Sequence, residues 1–169
     1  MAGGATRANS TVAEPVPGRW CAVALLVTPD GRYLMQHRDD FAWIDFPDHW
    51  CCFGGSVEPG ETAPEAVRRE LREEIGYAAP SVTLFTEFRL VLPFAELRLE
   101  RVTFFVVPIR ENDVSNLIIR EGVGGGLLRP DELAAMPNAV PWDMTAVLMH
   151  ARREQLFRPA TSPPPGWPG

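Results

Sequence analysis

One stretch constrains this chain more than any other, the segment from Gly55 to Tyr77, which reads GSVEPGETAPEAVRRELREEIGY. Thr62 and Glu65 form a T-x-x-E capping box with a proline in the first turn, so a helix is predicted to begin at Ala63. Gly76 suits the left-handed conformation that often ends a helix. Between these ends, apolar residues recur every four positions and form a stripe that must pack against the rest of the fold, namely Val67, Leu71 and Ile75.

Three glutamates lie beside that stripe. Glu70, Glu73 and Glu74 recur at i, i+3 and i+4 and therefore share one face of the predicted helix. Like charges at this spacing destabilise a helix by roughly a few tenths of a kcal/mol per pair. A solvated acidic face with neighbouring arginines as partners would tolerate this cost. Alternatively, the clustered carboxylates could bind hard divalent cations such as Mg²⁺, because these cations take carboxylate oxygens and keep several waters.

The complete spacing of the segment resembles the Nudix box, G-x5-E-x7-R-E-U-x-E-E-x-G-U, where U is apolar. Every position agrees except the last, where Tyr77 is an aromatic and an aliphatic residue is usual. Average composition puts the chance of this pattern on the order of one in ten million. The resemblance extends less tightly from about Trp20 to Leu156. It implies a Nudix hydrolase, which uses Mg²⁺ or Mn²⁺ to hydrolyse a nucleoside diphosphate linked to another group.

The resemblance also implies an α+β fold, an α/β/α sandwich with a mixed β-sheet between helices, and a set of metal ligands. The ligands would be the three box glutamates and one backbone carbonyl, that is Glu70, Glu73, Glu74 and Gly55. Arg69 would hold the glutamates in geometry, and Glu61 would brace the preceding loop. Two or three cations that share the phosphate could lower the pKa of a bound water toward neutrality.

The general base has two candidates at this stage. Glu73 or Glu74 within the box is one, and Glu121 is the other. Residues 114–121 are predicted to form a strand, and the glycine-rich run 122–126 has the backbone freedom of a mobile loop. Glu121 would then be a mobile acid/base or an extra metal ligand, with these glycines as its hinge.

Two further regions are candidates for substrate contacts. Arg38 resembles the arginine that many family members place near the substrate, and an ordinary surface arginine is the alternative. Trp43 and Phe46 belong to an aromatic-rich loop at 39–48. Aromatic side chains in a loop beside an active site could stack on a base or a sugar, or they could cover the core instead.

Composition excludes several kinds of chemistry. The sixteen basic residues are all arginine, so no lysine is present to form a Schiff base, serve a P-loop or act as a general base. With a net charge of −6 and no basic run longer than two arginines, DNA and RNA are not expected as surface partners. A small-molecule nucleotide substrate is expected instead. The chain has three cysteines, no disulfide framework and no apolar run of membrane-spanning length, which predicts a cytoplasmic protein that does not enter a membrane.

The predicted organisation is one Nudix hydrolase domain at 20–157, preceded by a disordered lead at 1–19 and followed by a proline-rich extended tail at 158–169. Dimers are frequent in the family, which makes a homodimer one expectation and leaves the oligomeric state open. Besides the box helix, a closing helix is predicted at 142–157. The remaining predicted strands lie at 20–27, 33–38, 50–53, 81–92 and 97–109.

Two other functions are compatible with the resemblance. An enzyme like isopentenyl diphosphate isomerase would need Cys51 or Cys52 in the pocket, but its box is usually degenerate and this one is complete. A non-catalytic nucleotide-binding Nudix module commonly loses box glutamates, and none is lost here. Within hydrolysis, a nucleoside triphosphate, a nucleotide sugar and an ADP-ribose type of substrate all stay open, because loops select the base, the sugar and the leaving group.

Overall fold

The structure is a computed structural model that describes residues 17–92 and 98–157. Most of the predicted lead, residues 1–16, and all of the predicted tail, residues 158–169, lie outside this range. No helix in the described ranges is long and apolar enough to cross a membrane.

The described residues form seven strands and five helices. The strands are β1 (Pro17–Val27), β2 (Tyr33–His37), β3 (Trp50–Cys51), β4 (Phe53–Ser56), β5 (Thr83–Leu92), β6 (Arg98–Pro108) and β7 (Gly124–Leu128). The helices are α1 (Ala63–Ile75), α2 (Glu111–Val114), α3 (Pro130–Ala135), α4 (Pro141–Ala151) and α5 (Arg153–Leu156).

The strands form one mixed sheet in the order β3-β2-β1-β6-β5, with β4 added to β1 and β7 added to β2. The two central strands, β1 and β6, run parallel, with Val23 opposite Phe104, and the other pairs are antiparallel. Helices cover both faces, so the inner part of each central strand is a continuous apolar run, at 20–27 in β1 and 104–107 in β6. The predicted fold class is confirmed.

Alternate residues of β1 point into two separate cores. Ala22 and Ala24 face the stripe of α1, while Val23 and Leu25 face α3 and α4. The α1 stripe is fully buried, with Val67, Leu71 and Ile75 at 0% exposure. Burial of each such side chain stabilises the fold by about 1.5–3 kcal/mol, so α1 is fixed firmly on the sheet.

The ends of α1 match the prediction. The helix begins at Ala63, and a carboxylate oxygen of Glu65 accepts the backbone N–H of Thr62 at 2.8 Å. Gly76 adopts the left-handed conformation at φ 69° and ends the helix. The capping box and the glycine cap are therefore confirmed.

Two sequence predictions about elements were wrong. Residues 114–121 are not a strand: α2 occupies 111–114, and 117–123 is irregular. The glycine run is not a mobile loop, because Gly124, Gly125 and Gly126 lie in β7 and pair with β2. A Cβ on Gly125 would lie 2.9 Å from the carbonyl oxygen of Met35, so the bare backbone permits this close pairing.

Element boundaries also differ from the prediction. β1 begins at Pro17, so residues 17–19 of the predicted lead belong to the sheet. The predicted start of β6 at Leu97 lies outside the described residues, of which Arg98 is the first in this strand. The closing helix is broken at Arg152 into α4 and α5.

Candidate active site

The loop that enters the box lies directly against α1. A Cβ on Gly55 would lie 2.3 Å from a carboxylate oxygen of Glu70, and a Cβ on Gly54 would lie 2.3 Å from the carbonyl oxygen of Ala22. A side chain at Gly54 would collide with the backbone of β1, and a side chain at Gly55 would displace the Glu70 carboxylate from the loop. The glycine at 55 therefore lets a carboxylate of α1 reach the backbone of the loop.

Arg69 connects the loop to the glutamates. Its Nε and Nη2 donate to the two carboxylate oxygens of Glu61 at 3.0 Å each, in the bidentate geometry of guanidinium and carboxylate. Its Nη1 donates to Glu70 at 2.8 Å and to Glu73 at 3.1 Å, while Nη2 also donates to the carbonyl of Ser56 at 3.0 Å. Hydrogen bonding to Glu61 first, and then to the other glutamates, raises the pKa of Arg69.

Glu74 is the most buried carboxylate of the box. It is 5% exposed, and its Oε2 accepts the N–H of Gly54 at 3.0 Å. Burial, and then the charges of Glu70 and Glu121, raise its pKa to about 8. Burial also raises the pKa of Glu70, although Arg69 opposes this shift. The fold thus gathers carboxylates in a dry place where their charges are incompletely balanced.

Glu121 lies close enough to affect both of these pKa values, and it comes from the irregular residues 117–123, here named the Glu121 segment. The backbone of this segment is held by β2. The side chain of Gln36 donates to the carbonyl of Glu121 at 3.1 Å, and the N–H of Val123 donates to the carbonyl of His37 at 3.0 Å. The predicted glycine hinge is wrong, because Gly122 is in van der Waals range of β2 and the next glycines are paired.

The Glu121 carboxylate itself is exposed and makes no hydrogen bond or ion pair with any described residue. The backbone of Glu121 is thus held in place while its side-chain carboxylate is open to solvent. A carboxylate placed in this way is suited to accept a proton or to bind a ligand.

A cavity of about 510 Å³ lies beside the loop. The three predicted substrate residues, Arg38, Trp43 and Phe46, all line it together with Gly54 and Gly55. Trp43 is 80% exposed and stacks on Phe41, with ring centroids 4.7 Å apart. Phe46 instead contacts Trp142 edge-on at 5.0 Å, so the two predicted aromatics present different surfaces to the cavity.

Four buried polar atoms of residues that line this cavity have no hydrogen-bond partner among the described residues: Nε of Arg38, Nε of Arg98, Oε1 of Glu100 and Oδ1 of Asp143. The Arg98 and Glu100 atoms form an ion pair with each other, which leaves Arg38 Nε and Asp143 Oδ1 unpaired. Asp143 is 4% exposed, and its other oxygen accepts the N–H of Cys52 at 2.7 Å. Burial raises the pKa of Asp143 to about 7. Buried polar groups are almost always paired, so these two atoms are exceptions in the wall of the cavity.

A model of the NUDIX domain matches residues 18–154 of the chain. The chain belongs to the NUDIX family. The match confirms the resemblance seen in the sequence and supports the prediction of an enzyme of the Nudix hydrolase class. Among curated relatives, nucleoside triphosphatase NudI of Escherichia coli is 48% identical over 54 residues, which are 32% of this chain and 38% of the relative. The matched region thus spans less than half of that relative.

Solved NUDIX structures resemble the whole described domain. The MutT protein of Methanosarcina mazei Go1 has a TM-score of 0.65 at 19% identity and covers 85% of this chain and 99% of its own. The E. coli ORF135 protein has a TM-score of 0.62 at 26% identity and covers 84% of this chain and 95% of its own. The E. coli dihydroneopterin triphosphate pyrophosphohydrolase has a TM-score of 0.60 at 23% identity, covering 83% and 99%.

The metal ligands predicted for this NUDIX chain lie together but are engaged with protein groups. No three acidic, histidine or cysteine side chains in 17–92 and 98–157 are already gathered around a common metal position. Arg69 holds Glu70 and Glu73, and the Gly54 N–H holds Glu74. The donor set still fits a hard cation, because carboxylate oxygens of Glu70 and Glu74 lie against a loop backbone that no Cβ obstructs, and Glu73 is held near Glu70 by Arg69.

Asp143 is the site residue that sequence reasoning missed. It lies in the first turn of α4, where an acidic residue is favoured in any helix by the helix dipole. Its type and position therefore carried no signal for a cavity. Only the packing of α4 against the residues after β3 shows that its carboxyl group is buried beside the loop.

A second cavity, of about 800 Å³, lies at the opposite end of β1. Its walls include Val27, Tyr33, Tyr77 and His150. Neither cavity is lined by a glutamate of α1 itself. The smaller cavity differs in being lined by Gly54 and Gly55, the two residues whose backbone lies against Glu74 and Glu70.

Proposed function

We propose that this NUDIX chain hydrolyses a diphosphate bond in a nucleoside diphosphate linked to another group, with Mg²⁺ or Mn²⁺ as cofactor. The observation that carries the proposal is the packing of Glu70 and Glu74 against the Gly54–Gly55 backbone, braced by Arg69, next to a cavity with unpaired polar atoms. A purely structural helix would gain nothing from burying two carboxylates with raised pKa values.

The cation would be held by Glu70, Glu73 and Glu74 with the carbonyl of Gly55. When bound, it would neutralise charge on the phosphates and lower the pKa of a bound water. Arg69 orients the glutamates through the hydrogen bonds described above, and its planar fork lets one side chain contact Glu61, Glu70 and Glu73 at once.

We propose Glu121 as the general base. In the reaction, an oxygen of water attacks phosphorus, the bridging P–O bond breaks, and the proton of the water goes to a carboxylate oxygen. Glu74 is buried and its Oε2 accepts a backbone hydrogen bond, while Glu73 is held by Arg69. Glu121 is the exposed carboxylate of the group without a partner in the described chain, so it is the one best able to accept a proton.

The substrate would occupy the 510 Å³ cavity. Arg38 would meet a phosphate, since the chain offers only arginine, metal and backbone N–H for this purpose. Trp43 would stack on a base or sugar with its exposed face, with Phe46 on the cavity wall. Asp143 lines the same cavity, and its Oδ1 atom has no hydrogen-bond partner among the described residues.

An isomerase-type reaction is not favoured. Cys51 and Cys52 line the cavity, but they are 4% and 5% exposed. Burial raises the pKa of Cys51 to about 12, and its Sγ donates to Gln36 at 3.3 Å. Neither thiol is thus prepared for acid–base work near neutral pH.

A substrate screen tests the proposal. Nucleoside triphosphates come first, because the curated relative is a nucleoside triphosphatase, followed by ADP-ribose, sugar nucleotides and dinucleoside polyphosphates. Each is incubated with Mg²⁺, and release of pyrophosphate, phosphate or a nucleoside monophosphate is measured. Turnover of at least one class that stops on addition of EDTA is expected. Turnover of none, by a protein with intact circular dichroism and a cooperative melting transition, would refute the proposal.

A further inference from the structure

The C-terminal end of α1 receives its hydrogen bonds from the Glu121 segment. The last four carbonyls of any helix have no partner within the helix. Here all four are satisfied by residues 118–120, with Gly76 sharing one of them. The acceptors are the carbonyls of Arg72, Glu73, Glu74 and Ile75.

Arg120 makes three of these hydrogen bonds. Its Nη1 donates to the carbonyls of Arg72 at 2.8 Å and Glu73 at 2.9 Å, and its backbone N–H donates to the carbonyl of Glu74 at 2.8 Å. A cation at the C-terminal end of a helix is also favoured by the helix dipole. Arg120 thus joins the Glu121 segment to the turn of α1 that carries Glu73 and Glu74.

The other side of the Glu121 segment is fixed to β2. Besides the hydrogen bonds from Gln36 and to His37, the N–H of Gly122 donates to Asp39 at 3.2 Å. A Cβ on Gly122 would lie 2.3 Å from the carbonyl oxygen of His37. Glu121 therefore lies between two attachments, Arg120 on α1 and Gly122 on β2.

We infer that Arg120 is a positioning residue for the reaction: its bonds to the last turn of α1 fix where the Glu121 carboxylate stands relative to the box glutamates. The inference rests on the proposed function, with Glu121 as base. Arg120 does not need to touch substrate, because it acts through its neighbour. A misplacement of about 1 Å in such a group can reduce a rate on the order of a hundredfold.

The kinetic test compares Arg120→Ala with Arg120→Lys. Loss of the guanidinium should lower kcat about ten- to a hundredfold with little change in KM, because ground-state binding of substrate is untouched. The lysine variant keeps a cation that can donate to the same carbonyls and should restore most of the rate. Arg89→Ala is the matched control, since Arg89 is an exposed arginine on β5 with one weak contact to Glu87 at 3.4 Å. It should turn over like wild type.

A double-variant cycle separates positioning from general destabilisation. If Arg120 acts through Glu121, the double variant Arg120→Ala with Glu121→Gln should be no slower than Glu121→Gln alone. Multiplied losses, or an unchanged kcat in a folded Arg120→Ala protein, would overturn the inference. If Arg120→Ala does not fold, Arg120→Gln takes its place, because it keeps a single donor for the carbonyls.

Amide hydrogen exchange measured by NMR gives an outcome independent of turnover. Arg120→Ala should speed the exchange of the Gly122 and Val123 amides, the lysine variant should slow it again, and amides of β6 should be unaffected. Unchanged exchange at these two amides would refute the attachment itself. If wild type shows no turnover, the proposed function fails, and this measurement still decides whether Arg120 fixes the Glu121 segment.

Discussion

The helix α1 and the Glu121 segment both bring carboxylates to the candidate site, but they are held in different ways. The helix holds itself through its capping box, its buried stripe and its glycine cap. The Glu121 segment has no regular structure and is held by hydrogen bonds with its neighbours: Gln36 of β2 donates to it, and its own Arg120 donates to α1. A carboxylate can thus be held in place without a helix or a strand. Because the two regions are held by different contacts, substitutions can disturb one without the other.

The largest effect is expected in the helix. Glu73→Gln or Glu74→Gln should lower kcat about a hundredfold or more, because each removes a charge needed for cation binding, while the buried packing of α1 keeps the fold. Steady-state kinetics over a range of Mg²⁺ concentrations, with a melting curve, provides the measurement. Glu154→Gln on the exposed α5 is the control. Full wild-type activity in EDTA would contradict the assignment of this cluster to metal binding.

A smaller effect is expected in the Glu121 segment. Glu121→Gln should lower kcat about ten- to a hundredfold with little change in KM, since a base acts in the transition state. The limb of the pH–rate profile that reflects its ionisation should disappear. If the rate and this limb both survive, the base belongs to α1, at Glu73 or Glu74, and the two regions are not partners in the chemistry.

The contacts that hold each region also explain which parts of the site could be predicted from sequence. The bounds and caps of α1 follow from local pattern, since Thr62, Glu65 and Gly76 act within the helix they limit. The Glu121 segment could not be predicted, because its conformation depends on acceptors from α1 and β2 that are distant in the chain. The glycines after it looked like a flexible run, yet Gly125 is glycine because the backbone of β2 comes too close for a side chain.

The residues of the cavity could likewise be predicted only in part. Arg38, Trp43 and Phe46 were predicted as substrate contacts, and the structure places all three on the wall of one cavity. Their contacts with a substrate stay a prediction. Asp143 was missed because its burial depends on how α4 packs beside Cys52, which no short pattern encodes.

A glycine pair tests the attachment of the Glu121 segment to β2. Gly122 and Gly31 have nearly the same left-handed backbone, at φ 80° and 84°, so the backbone strain of alanine is about 1–2 kcal/mol at either, before any contact of the new Cβ. Only at Gly122 would the new Cβ meet a neighbour, at 2.3 Å, whereas nothing lies within 4 Å at Gly31. Both variants should be less stable than wild type. Gly122→Ala should also have a kcat about tenfold lower than wild type in its folded form, whereas Gly31→Ala should keep the wild-type kcat. Equal kinetics of the two folded variants would show that this attachment does not place Glu121.

The smallest effect on turnover is expected at His150, which lies away from both regions. A variant at this position should change how stability depends on pH without changing kcat. His150 is 5% exposed, its Nδ1 lies 2.6 Å from the hydroxyl of Tyr33, and burial lowers its pKa to about 4. The unfolded chain binds this proton below about pH 6.5, whereas the folded protein does not until about pH 4. Stability from His150 is thus complete above pH 6.5 and is lost as pH falls toward 4.

The variant His150→Gln keeps a polar partner for Tyr33 but does not titrate. Between about pH 8 and pH 5, the free energy of unfolding of wild type should fall by about 2 kcal/mol more than that of the variant, as measured by urea denaturation. At pH 8 the two proteins should have the same kcat. Parallel losses in both proteins would show that the buried histidine does not cause this acid sensitivity. A variant that keeps the acid limb of the rate profile while losing the acid sensitivity of folding would locate that limb in the active-site carboxylates.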